Sequence, residues 1–257
     1  MFLNLINSIL TVENLSLSLS PQKEILSGVS FSIAKGETLL LCGKNGSGKS
    51  ILLRALKGLI PITKGSIFLD DIDVSKKGNA RNASIALVFQ DTDTQIVGQT
   101  VYKDLLFGLE NLGIKQEERE ERIKEVSSLL DISSLLHKNP MNLSGGEKRR
   151  VALGGVLVMK PQIIFLDEPF ANLDYPGITQ VIASIMALQQ RGVAIVIATH
   201  EVEKIAFHTD SMLILDKGKV VEWGTTKEML FKSEQYGIRI QRVNGLPLPF
   251  EEYSWRN

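Results

Sequence analysis

Cysteine and histidine are scarce in this sequence, and the formal net charge is zero. The 257 residues contain one cysteine, Cys42, and three histidines, and the 29 Lys and Arg residues balance 29 Asp and Glu residues. A single cysteine excludes an intrachain disulfide and is typical of a reducing compartment. The balanced charge differs from the basic excess of nucleic-acid-binding proteins, so we expect no nucleic-acid partner. We interpret Cys42 as a core strand residue rather than a reactive thiol.

Long apolar runs are also absent. No uninterrupted apolar stretch reaches the about 18 residues that a membrane-spanning helix requires. The opening segment MFLNLINSIL is apolar, but it lacks the positive n-region and the small-residue cleavage site of a signal peptide. We therefore interpret it as a lead-in to the first strand, in a protein that is soluble and cytoplasmic.

Five short runs predict strands, at residues 38–43, 84–90, 163–169, 193–200 and 211–224. The first four are apolar almost throughout, as expected of parallel strands that are covered on both faces. The fifth contains Asp-Lys-Gly between two β-rich halves, which indicates a hairpin. Helical patterns alternate with these strands, so the expected fold class is α/β.

The chain between the second and third predicted strands is mostly helical. One helix is predicted by apolar residues that share a face, namely Ile123, Val126, Leu129 and Leu130. A second helix is predicted to end before Pro161. We interpret residues 96–158 as a helical subdomain inserted in a domain of residues 1–232. Residues 233–257 are predicted to form a loosely packed tail.

The sequence GKNGSGKS, residues 43–50, matches the phosphate-loop pattern directly after a strand and directly before a helical pattern. Glycines allow the backbone to wrap a phosphate, and successive N–H groups form an anion-binding nest. Lys49 is expected to reach the β- and γ-phosphates, and the Ser50 hydroxyl to ligate Mg²⁺. The alternative is an ordinary glycine-rich turn. The predicted ATP-binding positions are Gly43, Lys44, Asn45, Gly46, Ser47, Gly48, Lys49, Ser50 and Ile51.

Two carboxylates end the third predicted strand, in the sequence IIFLDEP. Ligands bind at the carboxyl edge of open α/β sheets, so Asp167 and Glu168 are placed for chemistry on a bound nucleotide. We expect Asp167 to hold Mg²⁺ through its waters and Glu168 to orient and polarise the attacking water. His200 ends the fourth predicted strand at the same edge, where a contact to the γ-phosphate is expected. No Cys/His cluster indicates a zinc site.

A second glycine pair follows Ser144 in the sequence NLSGGEKRRVAL. Ser144 and Glu147 have the spacing of a capping box, which predicts that a helix begins here. The exposed N–H groups of Gly145 and Gly146 and the positive end of the helix dipole form a natural anion site. Because the chain already has a phosphate loop, this second site requires a different explanation.

The order of these motifs resembles that of the ATP-binding-cassette (ABC) ATPases. The phosphate loop, Gln90 after ALVF, LSGGE, IIFLDEP, ANLD and TH follow one another from about Leu10 to Thr226. The resemblance implies a P-loop NTPase core with a mostly parallel sheet, an antiparallel β part and an inserted helical subdomain. It implies Mg²⁺-dependent ATP hydrolysis, with Lys49, Gln90, Glu168 and His200 as catalytic residues. Ser50, Gln90 and Asp167 are the expected Mg²⁺ ligands.

In ABC ATPases two cassettes face each other head to tail, which the resemblance implies for this chain. Ser144, Gly145 and Gly146 of one cassette would then close over the γ-phosphate held by the other. Asp174 of ANLD would communicate between the two sites. The helix dipole is most effective in such an interface because Coulomb interactions are strong where water is excluded. A homodimer and a heterodimer with a second ABC ATPase subunit both remain open.

A narrower resemblance points to the energy-coupling-factor ATPases, which serve cobalt, nickel and vitamin importers. It rests on residues 89–113, with a second glutamine at Gln95, and on the sequence ALGGVLVMKPQIIFLDEP. It implies a transmembrane partner subunit and a peripheral location on the cytoplasmic face of the membrane. Gln90 would sense Mg²⁺ and water and pass movement of the sheet to the helical subdomain.

Three features depart from the family pattern. One is the run DTDTQ, residues 91–95, which stands in place of a more usual Asn-Pro pair. Ile51 stands where a threonine is usual, so one hydroxyl contact to the α-phosphate is lost. Leu19 stands where an aromatic ring commonly stacks on adenine, a loss on the order of 1 kcal/mol that weakens base discrimination.

Two other functions compete with the importer function. One is that of a soluble ABC ATPase for translation, repair or cluster assembly. Only 94 positions separate Ser50 from Ser144 (144 − 50), which leaves no room for the long coiled coils of repair proteins. A nucleotide-binding regulator without turnover is disfavoured by Glu168.

Overall fold

The computed structural model describes residues 7–20 and 23–255, without the side chain of Leu19. The lead-in expected at residues 1–6 lies outside the described residues. The strands are β1 Ser8–Ser20, β2 Lys23–Ala34, β3 Thr38–Cys42, β4 Lys64–Leu69, β5 Ile72–Asp73, β6 Ile85–Val88, β7 Ile163–Asp167, β8 Ala194–Ala198, β9 Ser211–Asp216, β10 Lys219–Thr225, β11 Arg242–Val243 and β12 Leu246–Pro247. The α-helices are α1 Lys49–Lys57, α2 Gly78–Ser84, α3 Val101–Asn111, α4 Gln116–Leu129, α5 Gly145–Leu157, α6 Tyr175–Gln190 and α7 Thr226–Lys232.

The central sheet has the strand order β10-β9-β3-β8-β7-β6. Its strands are parallel except for β10, which forms an antiparallel hairpin with β9. The five predicted strand regions are therefore confirmed, with outer ends that lie within two residues of the predicted ones. Every residue of β3, β6, β7 and β8 is buried, because both faces of the sheet are covered. A second, antiparallel sheet has the order β2-β1-β4-β5.

Two apolar clusters cover the two faces of the central sheet. Alternate residues of β3 point to opposite faces, so Leu40 and Cys42 belong to one cluster and Leu39 and Leu41 to the other. The first cluster includes α3 to α6, and the second includes α1 and the antiparallel sheet. Cys42 is fully buried, and burial raises the pKa of its thiol to about 12, which agrees with a core role.

The helices α3, α4 and α5 follow one another between β6 and β7, as the helical pattern predicts. Ile123, Val126 and Leu130 are buried, and Leu129 is half-buried. The α5 helix ends at Leu157, four residues before Pro161. Within residues 7–20 and 23–255, no helix is both long enough and apolar enough to cross a membrane. The domain boundaries at residues 96, 158 and 232 stay predictions.

The prediction of a loosely packed tail is wrong for Ile238, Ile240 and Tyr253, whereas residues 242–247 are exposed. Ile238, Ile240 and Tyr253 are at most 5% exposed and belong to the same apolar cluster as α3 to α6. Phe207 N–H donates a hydrogen bond to the Tyr253 carbonyl at 3.0 Å. These three residues therefore pack on the body of the protein, through contacts between residues that are far apart in the sequence.

Candidate nucleotide site

The parallel strands β3, β7 and β8 are neighbours, so their carboxyl ends meet at one edge of the sheet. The phosphate loop, residues 43–48, follows β3. Glu168 follows β7, and His200 follows β8 by two residues. The fold thus brings together at one edge the groups that the sequence places about 30 and 120 residues apart.

The phosphate loop requires glycine where it leaves β3. Gly43 has φ +157°, and a Cβ atom there would lie 2.2 Å from the Leu215 carbonyl oxygen. Ser47 N–H donates to the Lys44 carbonyl at 3.0 Å, and Gly218 N–H donates to the Ser47 carbonyl at 2.9 Å. The loop is therefore fixed from outside by the β9–β10 hairpin.

Lys49 begins α1 and is 6% exposed. Its Nζ donates to the Gly43 carbonyl at 2.8 Å and lies 3.5 Å from Glu168 Oε1. An ammonium group has three donors, so Lys49 retains one for an oxygen of a bound phosphate.

Glu168 is held in one orientation by its neighbours. Its Oε2 accepts a hydrogen bond from Thr199 Oγ1 at 2.9 Å, and its Oε1 lies 3.0 Å from His200 Nδ1. The backbone of Glu168 has φ +46°, an uncommon conformation for a non-glycine residue, and its N–H donates to the Ala198 carbonyl at 2.8 Å. Such strain persists where the surroundings fix it, and it is often found at functional sites.

Ser50 and Asp167 provide the oxygen atoms that a magnesium ion requires. Ser50 Oγ donates to Asp167 Oδ1 at 2.9 Å. Burial raises the pKa of the Asp167 carboxyl, an effect that the Ser50 hydrogen bond opposes. Mg²⁺ prefers hard oxygen ligands and usually binds one or two carboxylates together with substrate phosphates, so this pair fits the ion. Among the described residues, no group of three or more His, Cys, Asp or Glu side chains has the geometry of a metal site.

An open cavity of about 550 Å³ lies over the phosphate loop. Predicted site residues that line it are Asn45, Gly46, Gly48, Lys49, Ser50, Ile51, Gln90, Glu168 and His200. Ile51 also packs against the second apolar cluster. The weaker adenine stacking that we predict from Leu19 depends on its side chain, which lies outside the described part of the structure.

Three predicted nucleotide-binding residues occupy other positions in the loop. Gly43 is buried against Leu215, and Ser47 is buried as well. Lys44 is exposed, and its side chain lies against Gly237. For these three residues, nucleotide binding stays a prediction.

The LSGGE segment forms a separate site. Ser144 Oγ accepts from Glu147 N–H at 3.2 Å, and Glu147 Oε2 accepts from Ser144 N–H at 2.7 Å, so the predicted capping box is confirmed. Gly145 is exposed. Gly146 is buried, because α5 approaches α6 so closely that a Cβ atom at this position would lie 3.1 Å from Gly177 Cα.

A second cavity of about 550 Å³ is lined by Ser144, Gly145, Gly146 and Asp174, among others. Asp174 caps α6, and its Oδ1 accepts from Gly177 N–H at 3.0 Å. The two cavities share no lining residue. Within one chain, the structure therefore does not bring the LSGGE glycines together with the phosphate loop.

Gln90 is connected to the LSGGE helix by a residue that the sequence analysis missed. Arg149 of α5 is 5% exposed, and its Nη1 and Nη2 donate to the carbonyls of Phe89 and Gln90 at 2.8 and 3.0 Å. Gln95 Oε1 accepts from Phe89 N–H at 3.0 Å. The backbone before and at Gln90 is thus fixed from two sides. No local pattern distinguishes Arg149 from the adjacent Lys148.

Thr199 is the other missed residue at the site. It is fully buried, and its hydroxyl bonds to Glu168. Its only signal in the sequence is its position before His200 at the end of an apolar run.

Comparison with known proteins agrees with this geometry. The sequence pattern of the family described as ABC transporter matches residues 26–171. The energy-coupling factor transporter ATP-binding protein EcfA of Methanocaldococcus jannaschii is 37% identical over 225 residues, 85% of this chain and 81% of that protein. EcfA of Methanococcus maripaludis is 34% identical over 243 residues, 92% of this chain and 87% of that protein.

The solved structure of cbiO1 from Clostridium perfringens, described as part of the ABC transporter complex cbiONQ, superposes with a TM-score of 0.82. It is 34% identical, and the match covers 89% of this chain and 93% of that one. Fold, family pattern and full-length relatives agree. The chain belongs to the ABC transporter family, and it is an ATPase similar to the energy-coupling-factor ATP-binding proteins.

Proposed function

We propose that this chain is the ATP-hydrolysing motor subunit of an energy-coupling-factor importer for a metal ion or a vitamin. It works as a head-to-tail dimer with a second ABC ATPase subunit, either a copy of itself or a related chain. A transmembrane subunit holds the dimer at the cytoplasmic face of the membrane.

The separation of the two cavities supports the dimer. Lys49, Glu168 and His200 face one cavity, whereas the LSGGE glycines line another. A single chain therefore leaves the γ-phosphate uncovered on one side. A second cassette in the opposite orientation would supply the N-terminus of its α5 as the missing wall.

The geometry at Glu168 supports its assignment as the group that acts on water. Two side chains hold its carboxylate, and the cavity beside it is open. A carboxylate fixed in this way orients a water molecule and accepts its proton as the water attacks the γ-phosphate in line. Lys49 stabilises the charge of the phosphates. His200 contacts Glu168 and lines the same cavity, from which it would contact the γ-phosphate.

Ser50, Asp167 and Gln90 would hold Mg²⁺. A bound Mg²⁺ would supply charge neutralisation for the phosphates. Ser50 and Gln90 line the cavity, and the Ser50 hydroxyl is hydrogen-bonded to the buried Asp167 carboxylate behind it.

Mixing two inactive variants tests the head-to-tail arrangement. Lys49→Ala disables the phosphate loop and Ser144→Arg blocks the LSGGE site, so each variant alone is expected to be inactive. In a mixed dimer one site combines an intact loop with an intact LSGGE segment, so an equal mixture should recover about a quarter of the wild-type rate. Lack of recovery in mixed dimers that are verified by two affinity tags would refute the arrangement for the homodimer.

Capture from membranes tests the transport function. The Glu168→Gln variant should retain ATP and keep the dimer closed, which stabilises its complex with a partner. We expect ATP-dependent capture of a polytopic membrane protein from detergent-solubilised membranes, with or without a second cassette. Capture of soluble proteins or ribosomes alone would contradict the import function. It would not contradict the conclusion that the chain hydrolyses ATP.

A further inference from the structure

The segment Phe250–Trp255 packs beside the hydrolytic edge, although it is remote from it in the sequence. Tyr253 is fully buried, and its carbonyl accepts from Phe207 N–H. Trp255 N–H donates to the Lys204 carbonyl at 3.3 Å. These two backbone hydrogen bonds attach the segment to the residues that follow His200.

Lys204 is a charged residue with an unusual environment. It is 6% exposed, and its Nζ forms an ion pair with the Glu201 carboxylate. The same Nζ lies 4.9 Å from the ring centroid of Trp255 and 6.0 Å from that of Phe170. A buried ammonium requires compensation, and here one carboxylate and two aromatic faces supply it.

Two of these partners, Phe170 and Glu201, lie close in the chain to residues of the candidate site. Phe170 is two residues after Glu168, and Glu201 directly follows His200. A chain of hydrogen bonds extends this contact, because Glu201 N–H donates to Thr199 Oγ1 at 3.0 Å and Thr199 Oγ1 donates to Glu168. The position of Lys204 is thus connected to the carboxylate that acts on water.

Trp255 connects the segment that follows Asp174 to the segments of Glu168 and His200. Its ring stacks on Tyr175 with centroids 5.8 Å apart and an interplanar angle of 35°. Tyr175 directly follows Asp174, which caps α6 and lines the second cavity. One indole ring therefore touches both the segment after His200 and the segment after Asp174.

We propose that Trp255 and Lys204 are positioning residues for ATP hydrolysis, which fix the segments of Glu168, His200 and Asp174 relative to one another. This inference rests on the proposed function, because it assigns the three segments to one reaction. Neither residue lines the nucleotide cavity, so both act through their neighbours and not on the nucleotide.

Steady-state kinetics of four variants test the proposal. Trp255→Ala and Lys204→Met should lower kcat by about three- to tenfold and change KM less than about twofold, because misplacement of reacting groups affects turnover more than binding. Trp255→Phe and Lys204→Arg keep an aromatic face and a positive charge, and they should retain more than about half of kcat. Leu246→Ala is the control, since Leu246 also lies in the last part of the chain but is 72% exposed.

Tryptophan fluorescence gives a second readout. The chain has two tryptophans, Trp223 and Trp255, so a Trp223→Phe background isolates the emission of Trp255. We expect Mg-ATP to shift that emission, since Tyr175 and Lys204 lie against the ring and move with the site. If Trp255→Ala does not fold, the response of the Trp255 emission to Mg-ATP in the Trp223→Phe background tests the proposal instead.

The proposal is overturned if Trp255→Ala keeps wild-type kcat, or if Trp255→Phe loses as much as Trp255→Ala. It is also overturned if the emission of Trp255 does not respond to Mg-ATP. Wild-type hydrolysis, measured in the same assay, separates this failure from failure of the ATPase assignment, which would eliminate turnover in the wild type as well. Failure of the import function is read separately, from the capture experiment above.

Discussion

Replacing Arg149 by methionine should destabilise the protein far more than the same change at the adjacent Lys148. Both residues are positively charged and belong to α5. Arg149 is 5% exposed and donates to two backbone carbonyls. The side chain of Lys148 pairs with that of Asp93 at 2.6 Å, and these side chains are 18% and 67% exposed.

The expected magnitudes follow from these environments. A hydrogen bond from a charged donor contributes about 1.5–3 kcal/mol, so two give about 3–6 kcal/mol before offsets. Burial lowers the pKa of the Arg149 guanidinium, which means that removing the charge recovers part of its desolvation cost. We expect a net loss of about 2–4 kcal/mol for Arg149→Met, against about 0.2–1 kcal/mol for Lys148→Met.

Urea unfolding, followed by circular dichroism, measures both variants under one condition. Arg149→Lys should fall between wild type and Arg149→Met, because lysine keeps the charge but cannot donate to both carbonyls in the same geometry. The ATPase rate should decrease in the same order, since Gln90 loses its fixed backbone. Equal destabilisation of Arg149→Met and Lys148→Met would refute the reasoning.

Four further predictions concern the phosphate loop, the neighbouring core and the LSGGE helix. Gly43→Ala should lower ATP affinity at least about tenfold in a fluorescent-nucleotide titration, because its Cβ would meet the Leu215 carbonyl. Gly46→Ala, whose Cβ has open space, should cost only about 1–2 kcal/mol of unfolding free energy. Alkylation of Cys42 at about pH 8 should follow global unfolding, because burial raises the pKa of the thiol to about 12; modification at the rate of a free thiol would contradict this. Ser144→Ala should lower stability by about 1 kcal/mol through loss of the capping box, and an unchanged melting curve would oppose it.

The parts of the site that the sequence predicts are local in the chain. The phosphate loop, the capping box and the ends of β7 and β8 are all specified by residues within a few positions of one another. The parallel pairing of buried strands then places Glu168 and His200 beside Lys49 without further information. For this reason the fold class and most of the nucleotide cavity could be inferred before the structure.

The parts that escaped prediction depend on contacts between distant residues. Nothing near Arg149 indicates that it reaches Phe89, 60 positions away. The burial of Ile238, Ile240 and Tyr253 escaped prediction for a similar reason, because the apolar residues near Tyr253 are few and irregularly spaced. Tyr253 packs edge to face on Phe231 of α7 and accepts a hydrogen bond from Phe207, contacts that a local pattern does not describe.

The Arg149 link has a consequence for a head-to-tail pair. Gln90 lines the nucleotide cavity of its own chain, and Arg149 connects its carbonyl to α5, whose N-terminus would cover the nucleotide of the partner. Gln90 and Gly145 also line a common cavity of about 410 Å³. In the proposed dimer, a movement of Gln90 on ATP binding would therefore be passed to the LSGGE segment that would cover the other site. Coupling free energies are reciprocal, so nucleotide at either site would bias the same movement in both chains. Loss of the link in Arg149→Met should then reduce cooperativity between the two sites as well as the rate at each.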